Sequence, residues 1–260
     1  MSAHLLTIEN FFSSALNGTR KISILLPPGY AAETKHNYPV LYVHDAQNLF
    51  DDSESYSGQA WHLDRIVTDL INTGQIEPII LVAIDHGGIE RLAEFAHQDR
   101  IHKGQDIRAL GDCYEAFLAD ELKPCIDRIF HTRRAARANA LMGSSMGGLV
   151  SLNIALRRSR QFGAVAALSP SCWWNPAALK ADLRRYQNEL SGLKIWLDMG
   201  GHEGCYGDEV EEIAAHIAEL SGNDEDMFRY CLDPEADHSE AAWRDRVHLP
   251  LKFLFGVNKK

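Results

Sequence analysis

The segment Leu141-Met142-Gly143-Ser144-Ser145-Met146-Gly147-Gly148 constrains this chain more than any other. It holds Gly-x-Ser-x-Gly centred on Ser145, with an apolar run from Ala138 to Met142 before it and a helix-like run from Leu149 to Arg157 after it. Strand, sharp turn and helix in that order project a serine hydroxyl clear of the backbone. Gly143 and Gly147 give the turn its room, because a side chain at either place would crowd it. The helix begins beside the serine, so its free N–H groups and its dipole favour an oxyanion there. The five-residue pattern is weak alone: with glycine near 7% and serine taken as similar, about one chain of this size in ten carries it by chance. The flanking elements and two partners downstream add the rest.

The remaining pattern predicts the frame around that turn. Arg20 to Pro27 reads as a strand closed by Pro27-Pro28-Gly29. Tyr38 to His44, Ile79 to Ile84, Ala138 to Met142, Ala164 to Leu168, Lys194 to Asp198 and Met227 to Cys231 complete the set. The unbroken apolar run Ile79 to Ile84 predicts burial on both faces. Helical periodicity marks Trp61 to Thr73, Ile107 to Ile129, Leu149 to Leu156, Ala177 to Leu190, Val210 to Leu220 and Ala241 to Phe255. Pro124 predicts a kink in the second of these. Strands alternating with helices predict an α/β fold, a mostly parallel central sheet with helices on both faces. The first strands have no helix between them, which predicts an antiparallel edge. A length of 260 residues fits one domain over 1–260 better than two small ones.

Composition excludes some functions. The formal net charge is -10, which argues against nucleic acid, an anionic membrane or a polyanion as the main partner. The segment Met1 to Asn10 has no basic stretch followed by a long apolar core, so it does not read as a signal peptide. No run has the length needed to span a bilayer. Cys113, Cys125, Cys172, Cys205 and Cys231 are odd in number and scattered, without a Cys-x-x-Cys pair, which predicts free thiols in a reducing cytoplasm. Cys172 and Cys205 fall in loops near the expected site but have no nucleophile context. None of the 12 histidines has a spacing such as His-Glu-x-x-His, so no metal is expected.

A serine hydroxyl needs a base, and the base needs an orienting acid. In a sheet of this kind they follow the serine in the order acid, then histidine, just past strand ends. His238 follows the last strand and directly precedes the last helix, which places it at the carboxyl edge. His216 and His248 fall within helices, and His202 comes too early for an acid to precede it in strand order. For the acid, Glu203 lies in the loop after Lys194 to Asp198 and reaches above the sheet more easily than Asp198, the alternative. Asp198 is expected to bond the amides of its own glycine turn, and Asp237 to cap a loop or helix. The oxyanion donors expected are the N–H of Met146 and an N–H of Ala46 or Gln47, in the loop after the third strand. Asp45 would brace that loop.

Taken together, these residues resemble the putative-esterase family of α/β-hydrolases, which includes esterase D, enterochelin esterases, feruloyl and acetyl-xylan esterases and mycolyltransferases. The resemblance covers nearly the whole chain. It rests on Leu26-Pro27-Pro28-Gly29-Tyr30, Leu41 to Asp51, Arg91 to Phe95, Gly143 to Gly148, Leu168-Ser169-Pro170-Ser171 with Trp173-Trp174, and His238. It implies ester hydrolysis by a Ser, Asp/Glu and His triad without metal or cofactor. Matched by position, the nucleophile falls on Ser145, the base on His238 and the acid on Glu203. The run Asp45-Ala46-Gln47-Asn48-Leu49-Phe50-Asp51 looks closest to the enterochelin-esterase and carbohydrate-esterase-like branch.

The expected partner is therefore a small-molecule ester, siderophore-, carbohydrate- or acetyl-ester-like, with no nucleic acid and no membrane. Acyl transfer and S-formylglutathione (thioester) hydrolysis use the same groups and are the alternatives. A binding protein without catalysis is a third, opposed by the retained nucleophile, base and acid. Trp61, Trp173 and Trp174 are expected either to wall the substrate cleft or to pack loops onto the sheet. Arg91 and Glu94 are expected to pair with each other.

Overall fold

The computed structural model describes residues 3–30, 36–204 and 206–257. Its strands are β1 (His4–Ser13), β2 (Gly18–Leu26), β3 (Val40–His44), β4 (Ile80–Ile84), β5 (Arg100–His102), β6 (Gln105–Ile107), β7 (Asn139–Ser144), β8 (Ala164–Leu168), β9 (Lys194–Gly200) and β10 (Phe228–Asp233). Eight of them form one sheet in the order β1-β2-β4-β3-β7-β8-β9-β10, and β5 with β6 forms a separate hairpin. From β4 to β10 neighbouring strands are parallel. β2 is antiparallel to both β1 and β4, so the expected antiparallel edge is present.

Alternation along the central strands explains their unbroken apolar runs. Val40 and Tyr42 point into one buried cluster, together with Val82 and Leu141. Leu41 and Val43 point into the other, with Leu81, Met142 and Trp243. Successive side chains of a strand face opposite ways, so a strand covered on both faces has no place for a polar residue. Helix Met146–Arg157 covers the first face through Leu149, Val150, Leu152 and Leu156. Helices Leu63–Asn72 and His248–Phe255 cover the second through Leu63, Val67, Leu251 and Phe255.

Several local expectations change. β1 is an added edge strand whose side chains are mostly exposed. The helix expected from Ile107 starts at Gly111, because Ile107 is taken by the β5–β6 hairpin. Lys103 and Gly104, with φ of 48° and 79°, turn that hairpin, as two left-handed residues do in a two-residue β-turn. The helix then runs to Ile129 through a π-helical stretch, Phe117–Leu122. Pro124 lies one residue beyond that stretch, after Lys123; it has no N–H to donate backward, and the widened turn absorbs the loss. The last helical region divides into Glu240–Arg246 and His248–Phe255, and Ala177 to Leu190 divides into Pro176–Arg185 and Gln187–Leu190. No helix among the described residues is long and apolar enough to cross a membrane.

Candidate active site

The carboxyl ends of β3, β7, β8, β9 and β10 converge on one rim, and each delivers polar side chains there. β7 ends at Ser144, and Ser145 takes φ 56° and ψ -122° before the helix begins at Met146. A side chain rarely occupies that region, and residues held there concentrate at working sites. The turn is closed by Ser145 N–H donating to Leu168 O at 3.0 Å and Ser171 N–H donating to Ser145 O at 3.0 Å. A Cβ on Gly143 would come within 2.6 Å of the Gly147 backbone, so no larger residue fits. At Gly147 a Cβ would come within 3.0 Å of the Asp45 carboxylate, which fixes how closely the β3 loop approaches.

The structure brings Ser145, His238 and Glu203 into one line. Ser145 Oγ lies 3.1 Å from His238 Nε2, and His238 Nδ1 lies 2.5 Å from Glu203 Oε2. Glu203 has no exposed side-chain surface, whereas His238 is 43% exposed toward the cleft. A carboxylate can only accept, so Glu203 assigns the Nδ1–H tautomer and leaves Nε2 to accept from the serine hydroxyl. The other Glu203 oxygen, Oε1, accepts from Gly200 N–H at 2.8 Å and from Ser169 Oγ at 2.5 Å. The indole of Trp243 stands edge-on to His238, with ring centroids 4.8 Å apart.

Asp198 is not brought to the histidine, nor does it bond its own glycine turn. It is buried and accepts from Arg246 Nε at 3.0 Å, Trp196 Nε1 at 2.8 Å and Ser169 N–H at 3.3 Å. Burial pushes its carboxyl above the usual range, and the Arg246 guanidinium opposes that. Ser169 joins the two carboxylates. Its hydroxyl accepts from Arg246 Nη2 at 2.7 Å and Trp243 Nε1 at 3.0 Å, and donates to Glu203. That uses the full bonding capacity of one hydroxyl. Trp243 and Arg246 had no sequence signal for this role, and Ser169 had one only as part of a family marker. Leu168-Ser169-Pro170-Ser171 was a visible marker, but Trp243 and Arg246 read only as parts of a helix.

The expected Arg91–Glu94 pair is replaced by two others. Arg91 binds Asp45 with Nε on Oδ1 at 2.6 Å and Nη2 on Oδ2 at 2.7 Å, while Glu94 accepts from Arg20. Asp45 is buried with φ 60°, and the two-point contact with Arg91 holds the turn Ala46–Asn48. Ala46 is buried in that turn. The Gln47 side chain reaches His86, accepting from its N–H at 3.2 Å and donating to its carbonyl at 3.3 Å. Met146 is the first residue of its helix, and the first N–H groups of a helix have no intrahelical acceptor. Beneath the turn, burial lowers the His44 imidazole to about 4, so it stays neutral against Tyr114 Oη at 2.8 Å.

A cleft of about 440 Å3 opens over Ser145 and His238. Its lining includes Tyr56 and Trp243, and of the two roles open to Trp61, Trp173 and Trp174 their contacts are those of packing. Trp61 is buried below, 2% exposed, with Nε1 donating to Glu240 Oε2 at 2.6 Å. Trp174 donates from Nε1 to Gln98 O at 3.0 Å, and both Trp173 and Trp174 pack on His102 and Arg100. Trp61 and Trp174 are buried by this packing, whereas Trp173 stays partly exposed. Glu240, also in the cleft wall, was not anticipated, because nothing in a helix start predicts its burial. Burial raises its carboxyl to about 7, against the Trp61 hydrogen bond, with Asp45, Arg91 and His238 the charged neighbours.

The competing histidines lie elsewhere in their own contacts: His202 donates its N–H to Ala236 O, His216 faces Glu219 and His248 bonds Asp245 O. Burial pushes the Cys172 thiol up to about 12, far from a thiolate at neutral pH; Cys205 lies outside the described residues. Among the described residues His97, Asp112 and Glu115 bring metal-ligand atoms within 4.8 Å of one another. Arg157 and Arg158 already occupy both Glu115 oxygens, at 2.8 and 2.6 Å, so the group is an ion-pair cluster.

Known proteins resemble this chain in sequence and in fold. The family model described as "Putative esterase" matches residues 13–251. Ferri-bacillibactin esterase BesA of Bacillus subtilis is 25% identical over 232 residues, covering 80% of this chain and 76% of its own. Among solved structures, a ferulic acid esterase superposes with a TM-score of 0.74 at 18% identity, covering 98% of both chains. The enterobactin esterase FES of Shigella flexneri superposes with a TM-score of 0.75 at 19% identity, covering 98% of this chain and 58% of that one. Those likenesses establish the α/β-hydrolase fold.

Proposed function

The chain belongs to the putative-esterase family, and on that premise we propose that it hydrolyses carboxylic esters through a Ser145 acyl-enzyme. The observation that carries this reading is the unbroken line from Glu203 Oε2 through His238 to Ser145 Oγ, at 2.5 and 3.1 Å.

Ser145 Oγ attacks the ester carbonyl while His238 Nε2 takes its proton. Glu203, buried and bonded to Nδ1–H, holds the ring and stabilises the imidazolium that forms. The carbonyl oxygen gains charge as the tetrahedral intermediate forms. Met146 N–H and an N–H of Ala46 or Gln47 receive it, and the dipole of helix Met146–Arg157 adds to them. His238 returns its proton to the leaving alcohol oxygen as the carbon–oxygen bond breaks. Water then adds to the acyl-enzyme with His238 again as base, and Ser145 leaves protonated.

The substrate class proposed is a small ester, of the siderophore, carbohydrate or acetyl type. BesA is named a ferri-bacillibactin esterase, FES an enterobactin esterase and a solved structural neighbour a ferulic acid esterase, and the cleft of about 440 Å3 has the size of a small-molecule site. Ser145→Ala is expected to abolish p-nitrophenyl acetate hydrolysis while leaving the circular-dichroism spectrum and melting temperature near wild type. Wild-type turnover by that variant would overturn the assignment. Acyl transfer shares the same groups, and product analysis with an added alcohol or sugar acceptor separates it from hydrolysis.

A further inference from the structure

Among the described residues Glu240 is the one carboxylate of the cleft wall, and the reaction above leaves it unused. It is 7% exposed. Both of its oxygens are occupied from the same neighbouring segment. Oε1 accepts from Asn48 Nδ2 at 2.9 Å, and Oε2 accepts from Trp61 Nε1 at 2.6 Å. Asn48 closes the turn Ala46–Asn48 that would hold the oxyanion. Its amide orientation is set from the far side: Oδ1 accepts from Tyr56 N–H at 3.1 Å and from Ser55 Oγ at 3.5 Å. Nδ2 is therefore the atom that meets Glu240. Trp61 is tied to the same turn, its backbone N–H donating to Asn48 O at 2.9 Å.

On its own side Glu240 begins helix Glu240–Arg246, two positions after His238. Ser239 caps that helix, accepting from Ala242 N–H at 3.3 Å. One side chain thus spans from the oxyanion turn to the segment that carries the base. Its charge is expensive to bury. A glutamine has the same shape and no charge, yet it could not replace it. The glutamine NH2 group would face either Asn48 Nδ2 or Trp61 Nε1, donor against donor. Only the ionised carboxylate accepts at both ends, so the connection is complete above the pH of about 7 at which this buried carboxyl loses its proton.

We propose that Glu240 is a positioning residue, which fixes the oxyanion turn Ala46–Asn48 at a set distance from His238 and Ser145. The proposal rests on the Ser145 reading. Its chemical consequence falls on the transition state, because the oxyanion exists there and not in the bound ester. Turnover should therefore suffer, and ground-state binding should not.

The test uses the full chain as wild type, Glu240→Gln, Asn48→Ala and the double variant. Each is assayed on p-nitrophenyl acetate, with active sites counted by a fluorophosphonate probe. Glu240→Gln is expected to lower kcat per labelled site about 10- to 100-fold, the scale of a small misplacement of catalytic groups, with KM unchanged. Asn48→Ala is expected to lose a similar factor, and the double variant no more than the worse single one, because both remove one connection. Unchanged kcat per labelled site in Glu240→Gln, or losses that multiply in the double variant, would overturn the positioning role. A purely structural role would reduce the number of labelled sites and leave kcat per site intact. A wild type that does not label at all would overturn the serine reading, and this proposal with it.

Discussion

Asp198 and Glu203 leave the same end of β9 and face different partners: Glu203 Oε2 meets His238 Nδ1 at 2.5 Å, whereas Asp198 Oδ1 meets Arg246 Nε at 3.0 Å. Ser169 stands between them and bonds to both, through its N–H and its hydroxyl. The histidine therefore has one carboxylate partner, and the second carboxylate anchors the helix that follows the histidine.

The two carboxylates should fail differently when neutralised. Glu203→Gln is expected to lower kcat by about 10^4, the loss seen when a triad acid becomes its amide, with little change in melting temperature. Asp198→Asn breaks a buried pair with Arg246 and is expected to destabilise the fold by about 3–5 kcal/mol, while folded molecules keep their turnover. Steady-state kinetics and urea unfolding on both variants check this. The reverse pattern would make Asp198 the triad acid.

Arg91 is the sole cation bonded to buried Asp45 among the described residues. Arg91→Ala would strand that carboxylate beside the oxyanion turn and is expected to cost about 3–5 kcal/mol. Arg91→Lys restores the charge but not the two-point contact, so its stability and kcat should fall between those of Ala and wild type. Full recovery with Lys would show that only charge matters there.

The pH dependence of stability should reveal Glu240. Burial raises its carboxyl from 4.5 to about 7, so the folded state binds this proton more tightly than the unfolded chain does. Its contribution to stability is then full below pH 4.5 and is lost as pH rises toward about 7. The loss amounts to about 3 kcal/mol at most. Glu240→Gln does not titrate, so relative to wild type it should gain stability between about pH 5 and about pH 8. Urea midpoints at the two pH values measure the difference, and a gap that does not change with pH would contradict it.

Gly143→Ala places a Cβ 2.6 Å from the Gly147 backbone, where nothing flexible can yield. The expected cost is at least about 1–3 kcal/mol, the usual scale of overpacking, together with loss of labelling at Ser145. Normal labelling and an unchanged melting temperature would mean that the turn is looser than its geometry implies.

The central strands and the serine turn were legible because local pattern determines them. Val40 to His44 and Ile80 to Ile84 are apolar at every face-alternating position but the last of β3, and Gly143 and Gly147 flank Ser145. β1 was not legible, since His4–Ser13 is an exposed edge whose side chains follow no burial alternation. Partner choice was the other blind spot. Arg91 lies three residues from Glu94 and 46 from Asp45, yet binds the distant one. Trp243 and Arg246 face the site only because the helix break at Val247 turns Glu240–Arg246 onto Ser169. Such contacts are set by tertiary packing, and a single sequence carries no local trace of them.

The nucleophile itself is tested most directly by mapping the adduct of a fluorophosphonate probe by peptide mass spectrometry. One adduct is expected, on Ser145, that disappears in Ser145→Ala and forms far more slowly in His238→Ala. An adduct on another residue, or none on the folded wild-type chain, would contradict it.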